Sequence, residues 1–222
     1  MKNVSGVATS QPALAPWVNI NRNDARARCA ALGANYRLIS NAEWQAVVRN
    51  IASVGWNWSS GFVGVGALNR GHSDGTPAAG LAANASDNNA CSGTGQTCSS
   101  TVWHAQRRTN KLSNGQIVWD FGANVSEWVY DDYASLGVSP AISAAWREAS
   151  TLGANNRILF GPINTSWDSD EGVGQNYGGS GGGVQRGGDF NYEIARGVFA
   201  MWLDLTIFLA DEFSGFRCIH NP

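Results

Sequence analysis

The four cysteines offer the widest choice of chemistry in this sequence, because a thiol can act as a nucleophile, bind a metal or form a disulfide. They are Cys29, Cys91, Cys98 and Cys218. None of them forms a CxxC pair or a cysteine–histidine cluster with zinc spacing, so we expect no zinc site. Cys91 and Cys98 bracket a loop of glycine, serine and threonine. That spacing favours a local disulfide, worth about 2.5 kcal/mol in the chain-entropy model.

Cys29 and Cys218 leave two interpretations open. A bridge between them would tie the first predicted helix to the last predicted strand, whereas in a reducing compartment both would be buried free thiols. The histidines, His72, His104 and His220, are scattered singly along the chain. A lone histidine is more often structural than catalytic, so these three indicate no metal centre.

Two further segments resemble ligand loops without completing the pattern. Residues 168–172 (DSDEG) have an EF-hand look but lack the third oxygen ligand and the distal glutamate, so we interpret them as a solvated loop. The glycine-rich run at 178–183 is not followed by the Gly-Lys-Ser/Thr of a phosphate loop. We expect no hydrolase activity.

Composition narrows the class of protein. The 222 residues show no composition shift, which predicts one domain over 1–222. Charged residues make up 14% of the chain and the net charge is −2, which argues against nucleic-acid or anionic-lipid partners. No apolar run approaches the ~18 to 20 residues of a membrane span, and the first residues lack the apolar stretch of a secretory signal. Twenty-seven glycines and ten tryptophans favour long ordered loops pinned by aromatic side chains.

Two helices are predicted early in the chain. Asn21 or Asn23 can cap the first, which would run through Leu32 with Cys29 facing inward. The capping box that begins at Ser40 opens the second, which would run until Gly55.

Later elements follow from turn signals and alternation. Residues 59–114 read as an ordered loop region, 116–120 as a strand after a turn, and 141–152 as a short helix. Residues 197–204 alternate, so Phe199, Met201 and Leu203 would face the core while Trp202 and Asp204 face outward. Residues 214–219 complete the pattern as a closing strand. Helices followed by loops and antiparallel strands indicate an α+β domain.

Four stretches together resemble one superfamily, that of the sulfatase-modifying factors or formylglycine-generating enzymes, on a C-type-lectin-like fold. They are RLISNAEW at 37–44, WDFGANVSEW at 119–128, RGGDF at 186–190 and GFRC at 215–218. The resemblance implies an α+β domain with two early helices, long ordered loops and a small antiparallel sheet. Its enzyme branch oxidises a substrate cysteine with a copper-holding cysteine pair between the RGG and GFR motifs. Residues 189–213 contain no cysteine, so we expect no copper, no organic cofactor and no enzymatic activity.

A second branch of that superfamily matches the C-terminal segment better. The chain is similar to the variable proteins of diversity-generating retroelements in its RGG motif, Asn191, GVFA at 197–200 and GFR. Residues 108–115 also resemble the segment that precedes a hairpin in that group. The resemblance implies a binding protein with a hypervariable segment at 186–218 and a protein or other macromolecular ligand. By the same resemblance it would be displayed on a cell surface or a phage particle.

The positions between these framework residues are the predicted ligand contacts. Exposed aromatic side chains interspersed with charges are typical of a binding surface. The alternative is that Leu203, Ile207, Leu209 and Phe213 belong to an ordinary core. Adenine replacement in an AAC codon cannot produce Trp202, Glu193 or Glu212, so these would need another template codon or belong to the framework. The predicted contacts are Asp189, Phe190, Tyr192, Glu193, Ile194, Arg196, Trp202, Asp204, Leu205, Ile207, Phe208, Leu209, Asp211, Glu212 and Phe213.

The superfamily resemblance also implies a structural calcium site. Its ligands would be the side chains of Asp120 and Glu127 and the carbonyls of Ala123 and Val125, a hard-oxygen set that suits Ca²⁺. Gly122 and Ala123 stand where a Ser-Gly pair is usual, and the alternative is a cap or salt-bridge role for both acids.

Two other functions are alternatives to the prediction of a binding protein. One is a divergent formylglycine-generating oxidoreductase, and the other is a carbohydrate lectin. A calcium lectin would need an EPN or QPD tripeptide, and neither is present.

Overall fold

The computed structural model describes residues 1–99, 101–138, 142, 144–179 and 181–221. Over these described residues it is an α+β structure with three α-helices and twelve short strands. The helices are α1 (Arg22–Ala30), α2 (Asn41–Ala52) and α3 (Ala154–Phe160). The strands are β1 (Lys2–Val4), β2 (Val7–Thr9), β3 (Tyr36–Leu38), β4 (Thr109–Lys111), β5 (Ile117–Trp119), β6 (Ser126–Asp132), β7 (Trp146–Arg147), β8 (Asn176–Tyr177), β9 (Gly183–Arg186), β10 (Met201–Leu205), β11 (Ser214–Phe216) and β12 (Cys218–His220).

Both early helices begin at the predicted caps. The Asn21 side chain accepts a hydrogen bond from the Asp24 backbone N–H, and Ser40 and Glu43 form the full capping box. The first helix ends two residues before the predicted Leu32, and the second ends three residues before Gly55, since helix ends close on the backbone within the last turn. The prediction of two early helices is confirmed.

The main sheet has six strands in the order β11-β6-β9-β10-β8-β7. The pairs β11–β6 and β10–β8 are parallel, and the other three pairs are antiparallel. The predicted antiparallel sheet is therefore wrong in this respect, because the sheet is mixed. Alternation along one strand reports which face is buried, but it does not report the direction of a neighbour that lies far away in the chain.

Two predicted elements differ from the structure. The closing strand over 214–219 is divided at Arg217, with β11 in the main sheet and β12 paired with β3. Within the described part of the helix predicted at 141–152 the chain instead forms β7 and a 3₁₀ turn at Ala149–Thr151, while Ala141 and Ser143 lie outside the described residues. Pairing of β7 with β8 overrides the helix propensity of this alanine-rich stretch. The turn and strand predicted at 113–120 form the β4–β5 hairpin.

Two hydrophobic clusters hold the sheet. The larger packs α2 against the inner face of the sheet, with Trp44, Val48 and Phe199 fully buried. The smaller joins α1 to the other end of the sheet through Cys29 and Trp128. This second cluster places Cys29 beside the C-terminal strands.

All four cysteines are paired. The bridge Cys91–Cys98 confirms the predicted local disulfide, and Cys29–Cys218 shows that the end-to-end bridge, rather than two free thiols, is formed. Among the described residues, no helix combines the length and the apolar character that crossing a membrane requires.

Candidate ligand-binding surface

Strand β10 separates core side chains from outward ones. Met201 and Leu203 are 2% and 0% exposed, and Trp202 is half-buried while Asp204 is exposed. Period-two alternation places these two sets on opposite faces of the sheet, as predicted. The outward face of β10 is therefore the place to look for a ligand surface.

Beneath that face lies a buried ion pair. The Arg196 guanidinium donates from Nη2 to Asp189 Oδ2 at 2.8 Å and from Nε to the Asn191 carbonyl at 3.0 Å. Burial raises the pKa of Asp189 and lowers the pKa of Arg196, because both charged forms have lost hydration. Each charge therefore depends on the other for compensation.

Gly188 of the RGG motif makes room for this arginine. Its φ is +79°, and a Cβ built there would lie 2.2 Å from Cδ of Arg196. Any side chain at position 188 would collide with Arg196 and would also strain the backbone. The RGG motif thus provides the space in which Arg196 reaches Asp189.

Four aromatic side chains form a cluster, three of them in contact with Arg196, and we call them the aromatic patch: Trp146, Tyr177, Tyr192 and Trp202. Ring centroids of Trp146, Tyr177 and Trp202 are 5.1 to 5.5 Å apart. The Arg196 guanidinium carbon lies 5.0 Å from the Trp146 and Tyr192 rings and 5.8 Å from the Trp202 ring. These distances are within the range of cation–π interaction, so the arginine stabilises the positions of these three rings.

Trp146 and Tyr177 were not predicted as site residues. They join the patch because β8 pairs with both β7 and β10, which sets Tyr177 opposite Trp146 on one side and opposite Trp202 on the other. Two-residue strands leave no periodic signal, so only the abundance of tryptophan in the composition hinted at them.

The remaining outward residues vary in exposure. Tyr192, Ile194 and Phe208 are 65%, 48% and 71% exposed. Tyr192 has a φ of +68°, in the left-handed region that bulky residues rarely occupy, and this turn projects its ring next to Trp146. Glu193, Asp204 and Glu212 are exposed charges of the same segment.

Predicted contacts after β10 are less accessible. Leu205 and Leu209 pack partly against the smaller hydrophobic cluster, which supports the core alternative for Leu209. Ile207, Asp211 and Phe213 are half-buried, and the Phe213 ring lies 5.2 Å from that of Phe190. No ring contact among the described residues connects Phe208 to the aromatic patch.

Three predicted contacts are buried and require correction. Asp189, Phe190 and Arg196 are 5%, 2% and 2% exposed. The alternation that led to Trp202 does not extend through the turns before β10, so these side chains turn inward. They support the surface instead of forming its outer layer.

A family model described as the Sulfatase-modifying factor enzyme 1-like domain matches residues 2–222. The chain belongs to this family. It is a divergent family that includes non-enzymatic members. A search of curated proteins found no match to the chain.

The calcium ligands implied by the family resemblance are engaged elsewhere. Arg108 donates from Nε and Nη2 to the two carboxylate oxygens of Asp120, both at 2.7 Å. Arg217 does the same to Glu127, at 2.9 and 2.8 Å. Calcium would have to displace two bidentate guanidinium groups from the carboxylates that it needs. The arrangement fits the salt-bridge alternative and does not fit the calcium set, which also includes Ala123 and Val125.

The EF-hand-like loop of this family member is also internally satisfied. Both Asp168 carboxylate oxygens accept hydrogen bonds from Ser150, and Glu171 accepts one from the Asp168 backbone N–H. These contacts close a 3₁₀ turn at Ser169–Glu171. The loop is a structural cap.

Proposed function

We propose that this member of the sulfatase-modifying-factor family is a non-enzymatic binding protein, built on a C-type-lectin-like scaffold, that binds a protein partner through the aromatic patch and the other exposed side chains of the 186–218 segment. The observation that carries the proposal is the patch itself, in which three rings contact the buried Arg196–Asp189 pair and Tyr177 packs against two of those rings.

The patch has the properties of an interface anchor. Tryptophan and tyrosine offer large contact areas with few rotatable bonds, so little conformational entropy is lost when a partner orders them. Here the rings already contact one another and Arg196, which reduces that loss further. Exposed acids around them, Glu193 and Asp204, can set the orientation of the partner.

One unsatisfied donor strengthens this proposal. The indole N–H of Trp202 is buried and has no hydrogen-bond acceptor among the described residues. Buried tryptophan N–H groups usually find a partner. A small shift of the ring on binding would allow an acceptor on the ligand to satisfy this group.

The finer part of the proposal is that a retroelement diversifies this surface. Support comes from the alternation of framework residues, such as the buried Phe199, with outward side chains of very different character. The test is the flanking DNA. We expect a near-identical copy of the 186–218 coding segment, differing at adenines, close to a reverse transcriptase gene. Flanking DNA that lacks both would contradict retroelement diversification and leave the binding role to be tested separately.

The binding role is tested by removing the two most exposed rings. Tyr192→Ala with Phe208→Ala is expected to abolish capture of the partner from host surface proteins, because both are exposed aromatic side chains of the predicted binding segment. A matched control is Phe62→Ala, since Phe62 is also 71% exposed but lies outside the segment. Equal capture by the double variant and the control, measured by quantitative mass spectrometry, would contradict the proposal.

The alternative hypothesis, a formylglycine-generating oxidoreductase, predicts a different result. Cysteine oxidation of the formylglycine-generating kind needs reactive cysteines, and all four cysteines here are in disulfides. Neither bridge reaches into residues 189–213. Copper-dependent oxygen consumption with a cysteine peptide would favour the rival, and its loss in Cys29→Ser/Cys218→Ser would assign the activity to these thiols.

A further inference from the structure

A separate cleft lies between the β1–β2 hairpin and the ends of β5 and β12. Its volume is about 580 Å³, which is within the range of small-molecule sites. None of the four aromatic-patch residues lines it. Its lining includes Lys2, Thr9, Trp119, Asp120, Glu127 and Arg217.

The charged side chains at the cleft do not balance. Asp120 is paired with Arg108 and Glu127 with Arg217, so these four side chains sum to zero. Lys2 lies within electrostatic reach of all four but forms no ion pair or side-chain hydrogen bond with any described residue. Its side chain therefore adds one positive charge that has no acid of its own.

Lys2 is also largely removed from water. The residue is 8% exposed, and its strand pairs with β2 so that Lys2 stands opposite Thr9, another lining residue. Burial of this side chain lowers the pKa of Lys2, because its ammonium has lost part of its hydration and no acid pairs with it directly. A carboxylate entering the cleft would supply the missing charge.

The walls of the cleft favour an apolar ligand body. Its lining includes proline, aliphatic and aromatic side chains as well as the charged groups. This combination of an apolar enclosure with a few convergent polar groups is typical of ligand pockets. The apolar wall residues are Pro12, Pro16, Leu32, Ile117, Val118 and Val125.

We propose that this cleft is a second binding site, which takes a small monocarboxylate with an apolar or aromatic body and pairs its carboxylate with Lys2. The site is independent of the aromatic patch, so it can exist whether or not the patch binds a protein.

Isothermal titration calorimetry of the intact protein with 3-phenylpropionate tests the pairing. We expect measurable binding, with at least about tenfold weaker binding of the neutral 3-phenylpropionamide, since a hydrogen bond to a charged group contributes on this scale. Lys2→Met should cause a similar loss while keeping the apolar stem. Lys111→Met is the matched control, because Lys111 is the other lysine of the chain and does not line the cleft.

A second variant tests the location without touching a charge. Ala85→Trp places a large ring in the cleft wall and should abolish binding of 3-phenylpropionate, while thermal melting shows whether the variant is folded. The proposal is overturned if acid and amide bind equally, if neither binds at millimolar concentration, or if folded Lys2→Met or Ala85→Trp binds the acid as the unmodified protein does.

Discussion

The two faces of the segment around β10 differ in how deeply their side chains are buried. On the inner face Phe199, Met201 and Leu203 are 0%, 2% and 0% exposed. On the outer face Trp202 is half-buried, and beyond the strand Phe208 is 71% exposed. Because neighbouring residues point to opposite faces, one short stretch of chain can hold the core together and still present a changeable surface.

A third layer lies between these two faces. Asp189 and Arg196 are buried like the inner residues, but they contact the rings of the outer face. Substitutions in this layer should therefore behave like core substitutions in their effect on stability, although they fall within the predicted hypervariable segment.

The inner face is expected to give the largest effect. Phe199→Ala removes a fully buried ring from the main cluster and leaves a cavity, so the free energy of unfolding should fall by about 4 kcal/mol. Urea denaturation followed by circular dichroism measures this change. A loss below about 1 kcal/mol would show that the two faces do not differ in the way described.

The buried ion pair should give the next largest effect. Asp189→Asn leaves the Arg196 guanidinium buried without a counter-charge, and we expect a loss of about 3 kcal/mol in the free energy of unfolding. Asp204→Asn is the matched control, since Asp204 is an exposed acid of the same segment and should change stability by less than about 0.5 kcal/mol. Equal effects of the two variants would remove the distinction between buried and outward acids.

Substitution of the exposed Phe208 should give the smallest effect on stability. Phe208→Ala removes a ring that is 71% exposed, so the free energy of unfolding should stay within about 0.5 kcal/mol of its original value. The comparison with Phe199→Ala is direct, because the same side chain is removed from each face. A loss of several kcal/mol at Phe208 would place that ring in the core and contradict its assignment to the surface.

Local signals in the sequence were enough for several parts of this fold. Capping signals predicted where both early helices begin, at Ser40 for the second and at Asn21 or Asn23 for the first, of which Asn21 is the cap, because capping involves residues only three positions apart. The alternation in β10 predicted that Trp202 and Asp204 face outward. Such features depend on neighbours in the chain, which the sequence displays directly.

Features that depend on distant partners were missed. Trp146 enters the aromatic patch only because β7 pairs with β8, and Tyr177 only because β8 also pairs with β10. The arginine partners of Asp120 and Glu127 likewise come from other parts of the chain. A short stretch of sequence around an acidic residue does not show whether its carboxylate is available to a metal ion or is already paired with an arginine.

The Cys29–Cys218 bridge has a consequence for how much alteration the C-terminal segment can tolerate. It joins residues 189 positions apart, and Cys218 directly follows the GFR motif. If a poorly tolerated residue loosened β10 or the loop after it, the strands beyond would still be fastened to the first helix. Unfolding would stay local and would not spread to the C-terminal strands. The protein can therefore accept unfavourable side chains on this surface and keep its fold.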